Sequence, residues 1–203
     1  MADPLSSRRG RPPGTSARAL ELVALRLFSE QGFDATTVDE IAAGAGVSRR
    51  TFFRYFDSKT EVLWSAFDAE VTALGALFAQ ADDRQPVMTA VRAVVLAANH
   101  YSADDVAELR TRMNLISSVP ALAASATAHY DAWERQVARY VAGRIGQAET
   151  ALLPLAVGRT TLAACRAAYE QWADKADADL RQYLDLALTA LAAGFCDQAL
   201  GAS

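Results

Sequence analysis

Two adjacent arginines and four aromatic rings lie within the twelve residues SRRTFFRYFDSK, which run from position 48 to position 59. Aromatic side chains favour buried positions, whereas arginine side chains favour exposed ones. Guanidinium groups can donate paired hydrogen bonds to guanine O6 and N7, and a threonine methyl group can contact the methyl group of thymine. The segment therefore suits a helix that buries its rings and offers its cations to double-stranded DNA.

The spacing of these residues separates the two chemistries. Phe52 and Phe56 are four positions apart, so they share one helix face and can anchor the segment in a core. Arg50 and Arg54 fall on the far side of the same helix. Residues 49 to 51 would form the exposed first turn, from which side chains can reach base edges in the major groove.

Further residues suit contacts with the DNA backbone. Tyr55 and Lys59 lie at the end of the segment, where they can reach phosphate oxygens, and Thr36 and Thr37 precede a predicted helix whose amides could bind another phosphate. The arginines of the N-terminal arm could enter the minor groove. The candidate DNA-binding residues are Arg8, Arg9, Arg11, Thr36, Thr37, Arg49, Arg50, Thr51, Phe53, Arg54, Tyr55 and Lys59.

Local signals predict the elements that position this segment. The apolar residues of ARALELVALRLFSEQG recur at helical spacing up to Gly32, which predicts a helix from about Thr15 or Ser16. Thr37 stands three residues before Glu40 and predicts a capping box at the start of a short helix, 38 to 44. The turn GAGV and a serine N-cap at position 48 then predict a second short helix that ends near position 56. Two short helices on a tight glycine turn indicate a helix-turn-helix.

The remainder also has helical patterning. A second capping box, from Ser58 to Glu61, opens a predicted long helix from about Lys59 to Gln80, and five more helices are predicted near 86–101, 104–116, 121–146, 150–173 and 177–200. We therefore expect an all-α protein of about nine helices. It would comprise a flexible basic arm (1–14), a three-helix helix-turn-helix domain (15–63) and a helical-bundle domain for ligand binding and dimerisation (64–203).

The stretch ATTVDEIAAGAGVSRRTFFRYFDSKTEVL resembles the DNA-binding head of the TetR family of one-component transcriptional regulators. The resemblance covers about residues 15 to 63 and includes the motif positions Ile41-Ala42, Ala45-Gly46-Val47-Ser48, Thr51, Tyr55-Phe56 and Ser58-Lys59. It implies a regulator, usually a repressor, that docks this segment in the major groove. Arg50 replaces the usual glycine, and Phe53 replaces a phosphate-contacting tyrosine, so the resemblance does not carry over the operator preference.

Apolar stripes mark the last two helices. Leu180, Leu184, Leu188, Leu191 and Phe195 recur at helical spacing, which by itself is also typical of an ordinary intramolecular core. The resemblance implies that the last two helices form a homodimeric four-helix bundle, and a dimer would let two heads engage a palindromic operator. The expected interface residues are Leu162, Tyr169, Leu184, Leu188, Leu191 and Phe195.

The middle of the chain mixes apolar residues with polar and adaptable ones, as a small-molecule site requires. The candidate ligand-binding residues are His100, Tyr101, Arg110, Met113, Asn114, His129, Tyr130 and Trp133. The stretches ELRTRMNLISSVPALAA and YDAWERQVA resemble a TetR subgroup that includes regulators of acyl-CoA-type ligands and of mycofactocin-associated genes. The resemblance implies an elongated amphipathic effector, with Arg110 or Arg112 near its carboxylate or phosphate.

Charge and composition bear on three other possibilities: a membrane protein, a metalloprotein and an enzyme. The formal net charge is −4, but the stretch through Arg18 is basic, which suits an oriented approach to a polyanion. The first residues lack the apolar core of a secretory signal and no stretch is long enough to span a membrane, so we expect a cytoplasmic protein without membrane partners.

Neither the two cysteines nor the two histidines suggest a metal site, and we expect no cofactor. No catalytic motif is present, so an enzyme is not expected, whereas a helical ligand carrier without operator binding is the alternative.

Overall fold

The computed structural model describes residues 17–99, 101, 103–175 and 179–194, with the backbone alone at 103 and 104. The chain divides into two compact units between Val62 and Leu63, one residue from the predicted domain boundary. The basic arm with Arg8, Arg9 and Arg11 lies outside the described residues.

Nine α-helices and no strand occur in the described part of the chain, which confirms the all-α prediction. They are α1 (Ala17–Gln31), α2 (Val38–Gly44), α3 (Arg49–Phe52), α4 (Glu61–Phe78), α5 (Val87–Ala98), α6 (Ala103–Ser118), α7 (Pro120–Ile145), α8 (Leu152–Ala173) and α9 (Leu180–Ala192). Helix α4 begins two residues later than predicted, after the Ser58 hydroxyl accepts the Glu61 amide at 3.3 Å. Helix α9 begins later because Asp179 caps it by accepting the Arg181 amide at 2.9 Å.

The first unit, which the structure describes from residue 17 to residue 62, contains the helix-turn-helix, and we call it the head. The predicted capping box is confirmed, since the Thr37 amide donates to Glu40 Oε2 at 2.7 Å and the Glu40 amide donates to Thr37 Oγ1 at 3.2 Å. Hydrogen bonds from Thr37 hold the pKa of Glu40 below its usual value. Gly46 adopts a φ of 69°, a conformation that glycine enters without steric cost, and this turn leads the chain from α2 to α3.

Helix α3 has only four residues, fewer than the predicted span of about 48 to 56. The amides of Phe52 and Phe53 bond four residues back, to Ser48 and Arg49. Those of Arg54 and Tyr55 bond only three residues back, to Thr51 and Phe52. This tighter 3₁₀-type geometry ends the α-helix after Phe52 while the chain continues to coil. The aromatic core of the head still forms, because Phe52 is 0% and Phe56 is 7% exposed and their ring centroids lie 5.7 Å apart.

The side chain of Lys59 fastens the loop between α1 and α2. Its ammonium group donates to the carbonyl oxygens of Phe33 at 2.6 Å, Thr36 at 3.0 Å and Asp34 at 3.4 Å. It also lies 4.3 Å from the centroid of the Phe33 ring. The ammonium group has three donors, and the backbone of the loop accepts hydrogen bonds from them. Contact of Lys59 with DNA phosphate stays a prediction, and such a contact would have to share or replace these bonds.

The second unit is a helical bundle with one large apolar core. Helix α8 packs against α7 and α9, and α5 packs against α9. The core centres on buried residues such as Leu74, Val95, Val137 and Leu184. Gly158 lets α7 and α8 approach closely, because a Cβ atom at this position would lie 2.7 Å from the carbonyl oxygen of Glu134.

Replacement of Lys59 by methionine should destabilise the head. The variant keeps the length of the side chain but loses three hydrogen bonds from a charged donor, which we expect to cost about 2 kcal/mol. Thermal unfolding and hydrogen exchange of the amides of residues 32 to 37 would measure the loss. Arg26→Met is the matched control, because it breaks only the exposed pair with Glu30 and should cost less than about 0.5 kcal/mol. An equal effect of both variants would contradict the fastening role of Lys59.

Candidate nucleic-acid interface and effector cavity

The exposed side of the α3 segment carries three arginines, Arg49, Arg50 and Arg54, which we call the cationic rim. Phe52 and Phe56 lie on the buried side, so the segment separates rings from cations as predicted. The helix is short, but its N-cap is complete, since the Ser48 hydroxyl accepts the Thr51 amide at 3.2 Å. The rim is thus fixed in orientation by a capped turn on one side and an aromatic anchor on the other.

Arg49 is exposed, but its guanidinium group contacts two other side chains. Its Nη1 donates to Asp39 Oδ2 at 2.9 Å, and its guanidinium carbon lies 5.3 Å from the centroid of the Phe53 ring. Both members of the ion pair are well exposed, Arg49 at 60% and Asp39 at 64%. An exposed pair of this kind contributes about 0–1 kcal/mol to the free energy of unfolding, so the fold of the first unit does not depend on it.

The other predicted contacts near the rim are also on the surface. Arg54 donates from Nη2 to the Tyr55 hydroxyl at 3.2 Å and lies over the Tyr55 ring, with 5.0 Å between guanidinium carbon and centroid. The Phe53 ring is 43% exposed although it has no polar atom. The hydroxyl groups of Thr51 and Ser48 lie 3.0 Å apart.

The side chains of the two threonines before α2 make hydrogen bonds within the head. Thr36 is 1% exposed, donates from its hydroxyl to the Gly32 carbonyl oxygen at 2.8 Å and accepts from Gln31 at 3.2 Å. Contact of Thr36 with phosphate stays a prediction, but the burial of its side chain does not favour it. Thr37 is exposed, but its hydroxyl donates to Glu40 Oε2 at 2.8 Å within the capping box.

The second unit contains a cavity of about 480 Å³, a size typical of small-molecule sites. Its walls are largely apolar and aromatic, and they come from α4, α6, α7 and α8 together with the end of α5. Buried lining residues include Trp64, Leu109, Ile116, Ala126, Trp133, Leu162 and Cys165.

One part of the cavity wall is polar. The Tyr101 hydroxyl donates to Glu70 Oε1 at 2.6 Å and lies 3.1 Å from the Tyr169 hydroxyl, which in turn donates to Asn99 Oδ1. Burial, and then the nearby Glu70 carboxylate, raise the pKa of Tyr101, and burial raises the pKa of Tyr169. Burial also raises the pKa of Cys165 to about 12. Both phenols and the thiol therefore stay neutral near pH 7, which suits hydrogen bonding and packing rather than nucleophilic chemistry.

The structure brings five predicted ligand-binding residues to the described cavity lining: Tyr101, Met113, Asn114, Tyr130 and Trp133. It places two others elsewhere. Arg110 lies 4.3 Å from the centroid of the Trp172 ring and donates to the carbonyl oxygens of Ala173 and Lys175, so it caps the C-terminus of α8. His129 stacks on Trp64 at 4.5 Å and bonds Asp68 at 2.8 Å. His100 lies outside the described residues.

Arg112 lines the cavity but is used by the protein itself. It is 5% exposed, donates from Nη1 to the Leu63 carbonyl oxygen at 2.5 Å and from Nη2 to Glu108 at 2.9 Å. This side chain therefore ties α6 to the first turns of α4, and the expected contact with a ligand carboxylate or phosphate would have to displace these bonds.

Several cavity residues were not predicted from the sequence. Trp64, Phe67 and Glu70 lie on α4 at intervals of three residues, so they share one helix face. A glutamate on an otherwise aromatic face was the sequence signal that could have indicated a cavity wall there. Asn99, Leu162, Cys165 and Arg166 complete a wall whose parts are far apart in sequence.

The expected dimer residues mostly belong to the core of one subunit. Leu162, Leu184 and Leu188 are 6%, 0% and 1% exposed, so the chain itself covers their side chains. Tyr169 lines the cavity, Leu191 is half-buried, and Phe195 lies outside the described residues. The dimer interface stays a prediction, but the burial of these leucines within the chain does not favour their place in it, because a helical stripe shows which face is covered but not by what. The exposed large apolar residues of α8 and α9 are instead Leu152, Leu153 and Leu186, at 80%, 54% and 69%.

None of the described helices is both long and apolar enough to span a membrane. Residues 22–65 match the model of bacterial regulatory proteins of the tetR family, and residues 85–196 match the model of the MftR C-terminal domain. A Mycobacterium tuberculosis protein, named as the mycofactocin biosynthesis transcriptional regulator MftR, is 35% identical over 191 residues, which cover 94% of this chain and 96% of that protein.

Solved structures share the fold. FadR from Thermus thermophilus, described as a TetR family transcriptional repressor in complex with lauroyl-CoA, has a TM-score of 0.55 and 24% identity, over 89% of this chain and 95% of that one. SmeT, the repressor of a Stenotrophomonas maltophilia multidrug efflux pump, matches in its triclosan complex with a TM-score of 0.61 and 21% identity, over 86% and 90% of the two chains. The two family models and the full-length relative lead to one conclusion: this chain belongs to the TetR family of transcriptional regulators.

Proposed function

We propose that this protein is a ligand-responsive repressor that binds a palindromic operator in the cytoplasm as a homodimer. The observation that carries the proposal is the separation within the α3 segment, where Phe52 and Phe56 are buried and the cationic rim is exposed. Arg49 and Arg50 would read base edges, and Arg54 and Tyr55 would contact phosphates. The arm arginines Arg8, Arg9 and Arg11 would contact the minor groove.

A homodimer would supply the second head. Leu186 on α9 and Leu152 and Leu153 on α8 are exposed large apolar residues, and a partner that covered them would remove them from water. Small residues on the exposed positions 156, 163 and 167 of α8 would permit close helix approach. Two heads spaced about one helical turn of DNA, roughly 35 Å, could bind a palindrome together.

The cavity would hold an elongated amphipathic effector such as an acyl-CoA. Its volume and apolar walls suit an acyl chain, while the polar wall around Tyr101 and Glu70 can bond a carbonyl or hydroxyl group. The lauroyl-CoA in the T. thermophilus repressor supports this class. Because one relative is named as a regulator of mycofactocin biosynthesis, genes of mycofactocin biosynthesis are the first targets to test for regulation by this protein.

Helix α4 would couple the cavity to the head. It begins at Glu61, in the first unit, and its residues Trp64, Phe67 and Glu70 line the cavity in the second. A ligand that pressed on this face would shift α4 and, with it, the separation of the two heads. If the ligand bound the DNA-incompetent shape about a hundredfold better, the coupling free energy would be roughly 2.7 kcal/mol.

Selection from randomised DNA tests operator binding. The full chain should enrich duplexes with twofold symmetry, and fluorescence anisotropy should show a steep loss of affinity with rising salt, as phosphate neutralisation requires. Leu186→Glu should abolish dimerisation and weaken operator binding at least about a hundredfold. Ile145→Glu, at another exposed apolar residue, is the matched control and should change neither property. Tight operator binding by a monomer would contradict the proposal, and enrichment of no sequence would favour a ligand carrier.

Lauroyl-CoA should raise the melting temperature of the protein and release the operator, whereas coenzyme A alone should do neither. At a ligand concentration of 100 Kd, the stabilisation should be about 2.7 kcal/mol. Ala126→Phe places a ring in the cavity and should abolish the shift, while Ala128→Phe, on the exposed side of α7, should retain it. Equal shifts in the two variants would show that the ligand binds elsewhere.

A further inference from the structure

We propose that Asp39 is a positioning residue that, together with Phe53, orients the guanidinium group of Arg49 for one base pair of the operator. An acidic residue would thus determine part of the DNA sequence specificity. The inference rests on the proposed DNA-binding function, which it extends from the arginines to a residue that need not touch DNA itself.

Two different elements hold the guanidinium group. Asp39 lies in the first turn of α2 and accepts from Arg49 Nη1 at 2.9 Å, across ten residues of sequence. The second contact is with the Phe53 ring, whose centroid lies 5.3 Å from the guanidinium carbon. The Phe53 ring is itself seated edge-on against the buried Phe52 ring, with centroids 5.4 Å apart and an angle of 85° between the planes. The support therefore continues into the core of the head.

This arrangement leaves the reading edge of Arg49 accessible. A guanidinium group has five N–H donors in one plane, and among the described residues the hydrogen bond to Asp39 uses Nη1. The Nε and Nη2 donors lie along another edge, and such a pair matches guanine O6 and N7. Because these contacts order the Arg49 side chain before DNA binds, less conformational entropy is lost on binding.

A general surface ion pair does not account for Asp39 equally well. Its carboxylate lies beside the cationic rim and therefore weakens the attraction of the head for any polyanion. A residue that lowers general affinity yet orients a base-reading arginine raises the ratio of specific to non-specific binding. The exposed pair of Arg26 and Glu30 differs, because both residues lie on α1, four positions apart, with 3.0 Å between their charged atoms.

The experiment compares discrimination between duplexes. Its probes are a duplex selected by the full chain from randomised DNA and a set of duplexes with single base-pair changes. Wild-type protein should discriminate at one base pair of each half-site by roughly 5- to 150-fold, and Arg49→Ala should lose this discrimination. Asp39→Asn and Phe53→Leu should each lower it by at least about fivefold at the same base pair and leave the other positions unchanged. Glu30→Gln is the matched control and should change no position.

A double-variant cycle tests whether Asp39 acts through Arg49. In the Arg49→Ala background, Asp39→Asn should have no further effect on discrimination. The inference is overturned if both Asp39→Asn and Phe53→Leu keep discrimination within about twofold of wild type, or if Asp39→Asn acts equally without Arg49. If wild-type protein selects no sequence, the proposed DNA-binding function fails as well, so the two failures are distinguishable. Melting curves of the variants verify that each one is folded.

Discussion

The burial of Phe52 and Phe56 is the interaction on which the rest of the head depends. A four-residue helix is far too short to be stable by itself, because helix nucleation is costly and few hydrogen bonds offset it. Burial of each ring stabilises the segment by about 1.5–3 kcal/mol relative to exposure. The rings fix not only the presence of α3 but also its rotation about its own axis, and that rotation turns the cationic rim outward. The Ser48 cap and the Gly46 turn determine where the segment starts.

Features set by neighbouring residues could be predicted from the sequence, whereas features set by distant contacts could not. The capping box at Thr37 and the glycine turn are local, and both are present. The role of Lys59 was missed because its carbonyl partners lie more than twenty residues away in sequence. The same holds for Arg110, whose partners are at the end of α8. The leucine stripe of α9 was recognised as apolar, but periodicity cannot distinguish an intramolecular neighbour from a second subunit.

Family membership and the cavity add complementary information. The family models and the full-length relative establish a transcriptional regulator, while the cavity shows which chemistry its second unit can accommodate. An apolar chamber with one polar wall of neutral phenols and a carboxylate favours a ligand with a long apolar part and few directional groups. Because Trp64, Phe67 and Glu70 of α4 line that chamber, a ligand bound there would contact the helix that begins in the head. The proposed regulation uses this shared helix.

Guanine methylation by dimethyl sulfate reports directly on whether the cationic rim enters the major groove. The reagent attacks guanine N7, an atom that lies only in that groove and that arginine contacts when it reads guanine. Bound wild-type protein should protect one or more guanines in each half-site, with the two protected sites about 10 base pairs apart, and the Arg49→Ala, Arg50→Ala double variant should lose this protection. Unchanged protection in the double variant, or operator binding with no N7 protection, would contradict the account.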